Sequence, residues 1–116
     1  MALEGSLEAT VSADGTEGQT VSFDFHVMNE GTSPVELQFP DAQRAEFVVQ
    51  DEGREVWRST DGLAFAQVIG SERLAAGETA TYDGEWTDPQ SGEYTVVAEL
   101  RAQDAACEAR ADITVP

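Results

Sequence analysis

The residues of this chain that could carry out chemistry are few, and their placement points to structure. A hydrolase triad needs a nucleophile, a base and a group that orients the base. The single histidine, His26, falls in the middle of an alternating run, on the face opposite Phe25 and Val27. That is the position of a solvated or cross-strand-paired side chain. The single cysteine, Cys107, alternates with Ala109 and Ala111 and reads as a small core residue. One His and one Cys are too few for a zinc site. Carboxylates are so abundant that no pair of them singles out a glycosidase cleft. Asp14, Asp51, Asp61, Asp83 and Asp88 fall in expected loops, where oxygen ligands suit calcium. Their spacing matches no EF-hand, and Asp before Gly is ordinary turn chemistry. No Gly-rich phosphate loop is present. The sequence therefore predicts a binding domain, not an enzyme, with no cofactor and no metal.

The residues suited to binding are larger. Trp57 and Trp86 are the bulky anchors. Between two sheets a tryptophan is core; on the surface, with an arginine, it is a contact hot spot. Arg58 directly follows Trp57 and so points to the opposite face of its strand. There it meets a partner or pairs with one of the many carboxylates. Loops at 58–62, 70–77 and 88–92 are the places from which an extended segment could enter a protease cleft.

The elements that must position these residues are strands. Leu7, Ala9 and Val11 alternate with Glu8, Thr10 and Ser12; Val21, Phe23, Phe25 and Val27 alternate with Ser22, Asp24, His26 and Met28. Val35, Leu37 and Phe39 continue the pattern. Phe47 and Val49, the turn Asp51-Glu52-Gly53 and then Val56 predict a hairpin. Residues 63–69 read as a strand or an extended loop. Leu74 to Glu78 reads as a turn into a strand from Thr79 to Trp86, and Asp88 to Gly92 as a loop. Tyr94, Val96, Ala98 and Leu100 alternate, as do Cys107, Ala109, Ala111, Ile113 and Val115. A helical turn over 102–108, in a stretch of good helix formers, is the alternative there. The whole of 1–116 is predicted to be one all-β, immunoglobulin-like antiparallel sandwich of roughly seven to nine strands. With only Cys107, it has no intrachain disulfide.

Charge narrows the partners. The 116 residues carry 23 acidic side chains against 6 basic ones, a net charge of −17, and every basic residue is arginine. Nucleic acid and anionic membranes need clustered cations, so neither is an expected partner. Such self-repulsion loosens a compact chain in dilute buffer, whereas at about 1 M salt the Debye length shrinks to roughly 3 Å. Excess Asp and Glu, no Lys and much Ala, Thr and Val resemble the cytosolic proteins of salt-accumulating halophiles. Met1 to Gly5 shows no basic or apolar leader, and the lone cysteine suits a reducing compartment, so the expected location is cytoplasmic.

Asn29-x-Gly31 opens an ordered set of motifs. It continues with Val35-x-Leu37-x-Phe39, Gln43, Phe47-x-Val49-x-Asp51, Gly53 and Val56-Trp57. Phe65-x-Gln67, Leu74-x-x-Gly77-Glu78, Trp86 and Gly92-x-Tyr94 complete it. Over residues 21–100 this set resembles the intracellular proteinase inhibitor (BsuPI) family, in a halophilic, haloarchaeal-like version. The chain departs from the family at Pro40-Asp41-Ala42, where a Ser-Gly turn is usual, and at Arg58-Ser59-Thr60, where a second aromatic is common; residues 101–116 carry no family motif. The resemblance implies an immunoglobulin-like sandwich that binds a protein, possible targets being subtilisin-type serine proteases. The partner-binding residues expected are Trp57, Arg58, Ser59, Thr60, Asp61, Phe65 and Gln67. The alternative is a structural or interaction module with no protease target.

Overall fold

The computed structural model describes residues 3–13, 19–39, 44–59, 70–103 and 105–116. Among them are nine strands: β1 (Leu3–Ala13), β2 (Gln19–Asn29), β3 (Val35–Phe39), β4 (Ala45–Asp51), β5 (Arg54–Arg58), β6 (Gly70–Leu74), β7 (Thr79–Thr87), β8 (Gly92–Leu100) and β9 (Glu108–Val115). They form a three-stranded sheet β1-β2-β7, a four-stranded sheet β5-β4-β8-β9 and a separate ladder β3-β6. Every pairing is antiparallel.

Period-two alternation explains the layers. On β2 Val21, Phe23, Phe25 and Val27 are fully buried, and the residues between them are not. They face Phe47 and Val49 of β4 and Val96 and Ala98 of β8 within one core. The Phe23 and Phe47 rings stack with centroids 5.2 Å apart, which holds the two larger sheets in register. Gly84 of β7 makes this possible: a Cβ there would lie 2.6 Å from the Phe47 ring. The expected hairpin is formed by Glu52 (φ 51°) and Gly53 (φ 83°), the signs of a type I′ turn between Asp51 and Arg54.

Asn29 is the polar exception in this interior. It is fully buried at the end of β2. Its side-chain amide donates to the carbonyls of Ser33 (2.9 Å) and Leu74 (3.0 Å), and its side-chain oxygen accepts from Gly31 N–H (2.9 Å). Its backbone N–H donates to Glu78 and its carbonyl accepts from Gly77. Gly77, at φ 80°, and the bond from Ala75 N–H to the Glu78 carboxylate shape that second turn. The Asn29-x-Gly31 and Leu74-x-x-Gly77-Glu78 motifs are thus two halves of one hydrogen-bonded node.

Three expectations need correction. The segment 70–77 is not one loop: Gly70–Leu74 is β6, paired with β3, and only the residues after Leu74 turn. Asp83 is not in a loop but in β7, opposite Asp24. The last strand begins at Glu108, so Cys107 precedes it, half-buried beside the core. Among the described residues of 101–107 no helical turn forms, because Leu100, Arg101 and Gln103 donate instead to Cys107, Arg44 and Gln38. The readings at Asp14, at Pro40 to Gln43 and over 63–69 lie outside the described residues.

Replacing Asn29 with Ala should leave the buried Leu74 carbonyl without its partner, at about 1–3 kcal/mol, and remove the partly buried bonds to Ser33 and Gly31. A urea melt should show a loss of at least about 2 kcal/mol; a loss below about 0.5 kcal/mol would contradict the role given to the node.

Candidate functional site

Register on the four-stranded sheet sorts its outer face into three rows. Glu55, Gln50, Thr95 and Asp112 form one; Arg58, Val48, Val97 and Arg110 the next; Glu46, Glu99 and Glu108 the third. Val48 and Val97 are 6% and 4% exposed although they face outward, flanked in their row by the long stems of Arg58 and Arg110. Glu46 is also buried. The Arg58 guanidinium binds Glu46 and Glu55, and Arg101 approaches Glu46 at 3.6 Å. Arg110 lies 3.4 Å from Glu108. Three of the six arginines thus gather on one face. Hydrogen bonds donated by Arg58 hold the Glu55 carboxyl below its usual range, and the acceptance of those bonds by Glu55 and then Glu46 favours the charged guanidinium further.

The structure places three of the expected partner-binding residues. Trp57 faces inward, half-buried, with its ring 6.1 Å from those of both Phe23 and Trp86. Arg58 faces outward, as its neighbourhood to Trp57 predicts, and is engaged by the two glutamates. Ser59 closes the β4–β5 ladder from both sides: its N–H donates to the Phe47 carbonyl, and its hydroxyl accepts from Phe47 N–H, both at 2.9 Å. Thr60, Asp61, Phe65 and Gln67 lie outside the described residues. Glu46 and Arg101 were not singled out by the sequence. The available signal was a carboxylate inside the otherwise apolar Ala45-Glu46-Phe47-Val48-Val49 run.

The other reactive types are in structural settings. His26 Nδ1 is 2.9 Å from the Thr81 hydroxyl across the β2–β7 ladder, and Nε2 is 4.0 Å from Glu8. Burial pushes the Cys107 thiol up, away from thiolate. Among the described residues no group of three His, Cys, Asp or Glu is arranged to hold a metal. No helix among them is long and apolar enough to cross a membrane.

The sequence model of the intracellular proteinase inhibitor (BsuPI) family matches residues 5–105. The chain belongs to this family. As a BsuPI-family domain it is expected to act by holding a protein partner, and its motifs now have physical roles. Gly92-x-Tyr94, for instance, lets the Tyr94 hydroxyl donate to the Gln90 carbonyl at 2.7 Å, pinning the β7–β8 turn as a tyrosine corner does in immunoglobulin-like folds. No curated protein matches the chain. Among solved structures, a CARDB domain from Pyrococcus furiosus has a TM-score of 0.53 at 16% identity, covering 98% of this chain and 94% of that one. Sporulation control protein Spo0M from Bacillus subtilis has a TM-score of 0.52 at 17% identity, covering 96% and 49%. A β-glucuronidase of glycoside hydrolase family 2 has a TM-score of 0.62 at 9% identity; it covers 98% of this chain, which spans only 13% of the enzyme. At such identities these likenesses establish the sandwich fold alone.

Glu46→Ala should cost about 1–3 kcal/mol in a urea melt, since it removes a buried partner from two arginines while Glu55 remains for Arg58. Glu99→Ala, exposed in the same row, should stay within about 0.5 kcal/mol of the parent. Equal effects would show that the burial of Glu46 does not matter.

Proposed function

We propose that this BsuPI-family domain restrains a serine protease of the subtilisin type, in the cytoplasm of a cell that works at high salt. The observation that carries the reading is the family match over residues 5–105. The anchoring of the strands that flank residues 60–69 supports it. Ser59 is doubly bonded to Phe47, and Gly70 pairs with Phe39. Ends fixed before binding lower the ordering cost of any contact made between them. Subtilisin assayed with a chromogenic peptide in 2 M KCl should lose activity in proportion to added domain. Full activity at about tenfold excess of domain, with its circular dichroism unchanged, would sink the proposal.

Such a result would favour the second reading, an interaction module with no protease target. Its specific support is that Trp57 is stacked inward and Arg58 is engaged by Glu46 and Glu55, so neither is presented to a protease.

Charge and register support the proposed salt requirement. Glu8, Asp24 and Asp83 stand opposite one another across β1, β2 and β7, and Glu46, Glu99 and Glu108 do so across β4, β8 and β9. Like charges in such positions destabilise a sheet. The Glu30 carboxyl is pushed up by its hydrogen bond with Glu4 and by that group's charge. The thermal midpoint should therefore rise between about 0.1 and 2 M KCl as screening grows. A midpoint independent of KCl would refute the halophilic part of the proposal.

A further inference from the structure

Beside the outer face lies a hollow whose lining includes none of residues 58–69. It opens where the two larger sheets part, with a volume of about 300 Å³, and is lined by Asp51, Val56, Trp86, Asp88, Gln90 and Tyr94. Val56 is there because of a bulge. Val49 pairs with Trp57 and Gln50 with Glu55, so Val56 is the extra residue and has no partner in the ladder. It is 47% exposed, the most exposed large hydrophobic side chain among the described residues. A bulge on an edge strand such as β5 turns that edge away from strand addition. The bulge therefore makes this edge a poor template for an added strand.

The walls are firm. Trp86 and Tyr94 meet edge to face, with centroids 5.1 Å apart and planes at 87°. The Tyr94–Gln90 hydrogen bond fixes one ring to the turn that forms the rim. Asp88 holds its carboxylate on that rim from a left-handed backbone conformation, φ 52°. Among the described residues neither Asp51 nor Asp88 takes part in an ion pair. Arg54, across the ladder from Asp51, lines a neighbouring hollow with Asp51, Glu52 and Val56 but not this one.

Aromatic walls, an exposed aliphatic side chain and two carboxylates at the mouth complement a long apolar stem ending in a cation. We propose that this hollow receives a single arginine side chain from a protein partner, its stem against Val56 and the rings and its guanidinium between Asp51 and Asp88. Two carboxylates offer the planar guanidinium more directed hydrogen bonds than an ammonium can use. None of the lining residues belongs to 58–69, so this site stands whether or not the domain inhibits a protease.

The test is a ¹⁵N NMR titration of the whole chain, at a KCl concentration where it is folded, with acetyl-Gly-Arg-Gly-amide. Saturable shifts are expected at the Trp86 indole and at the Val56, Asp88 and Gln90 amides, with a Kd of roughly millimolar order. The same peptide with citrulline, uncharged but of similar shape, should bind at least about tenfold more weakly. The Asp51→Asn, Asp88→Asn double variant should lose the preference; asparagine tolerates the backbone conformation at 88. No shifts with the arginine peptide, or equal shifts with citrulline, would overturn the proposal without any variant having to fold. A preference for arginine unchanged in the folded double variant would overturn it equally.

Discussion

A buried amide has to find every partner inside the protein, and Asn29 is where this fold meets that demand. Its side chain and backbone reach Gly31, Ser33, Leu74, Gly77 and Glu78, so the end of β2, the turn after it and the turn between β6 and β7 are fixed together. Moving any one of these segments would strand a polar group in a dry interior, where the loss is far larger than the bond's net worth in water. The β3–β6 ladder, which joins neither larger sheet, is tied to β2 at this node through Ser33 and Leu74. Without a disulfide, this polar lock, the Phe23–Phe47 stack over Gly84 and the contacts of Trp57 with Phe23 and Trp86 help relate the layers to one another.

Charge works against this compactness. The sheets place carboxylates opposite carboxylates on both outer faces, and with 6 arginines to 23 acids most of them have no cation to meet. The arginines are spent selectively. Arg58 and Arg101 converge on Glu46, the buried member of its row, where an uncompensated charge would cost most. Arg58 and Arg110 also meet the exposed carboxylates of Glu55 and Glu108.

The family and the fold leave different amounts open. Membership of the intracellular proteinase inhibitor family covers most of the chain and points to binding a protein. The solved structures that share the architecture include a piece of a glycosidase and a sporulation protein, which shows how readily this sandwich is reused. The features proposed to carry function are on the surface: the ends that flank residues 60–69 and the aromatic hollow beside Val56.

Alternation along the chain was enough to read the all-β class, the facing of β2, β4 and β8, the hairpin at Glu52-Gly53 and the opposite directions of Trp57 and Arg58, because side-chain direction in a strand follows from sequence parity alone. The motifs that identify the family were legible as well. Their purpose was not, since Asn29 and Leu74 are 45 residues apart and only packing brings them together. The same limit hid β6, a short strand that earns its ladder from β3, and the partnership of Glu46 with Arg58 and Arg101. It also hid the hollow, because a bulge is a mismatch between two strands and neither strand contains it by itself. Local pattern determined which way each residue faces; tertiary structure decided what it faces, because pairing and burial depend on segments that the sequence holds far apart.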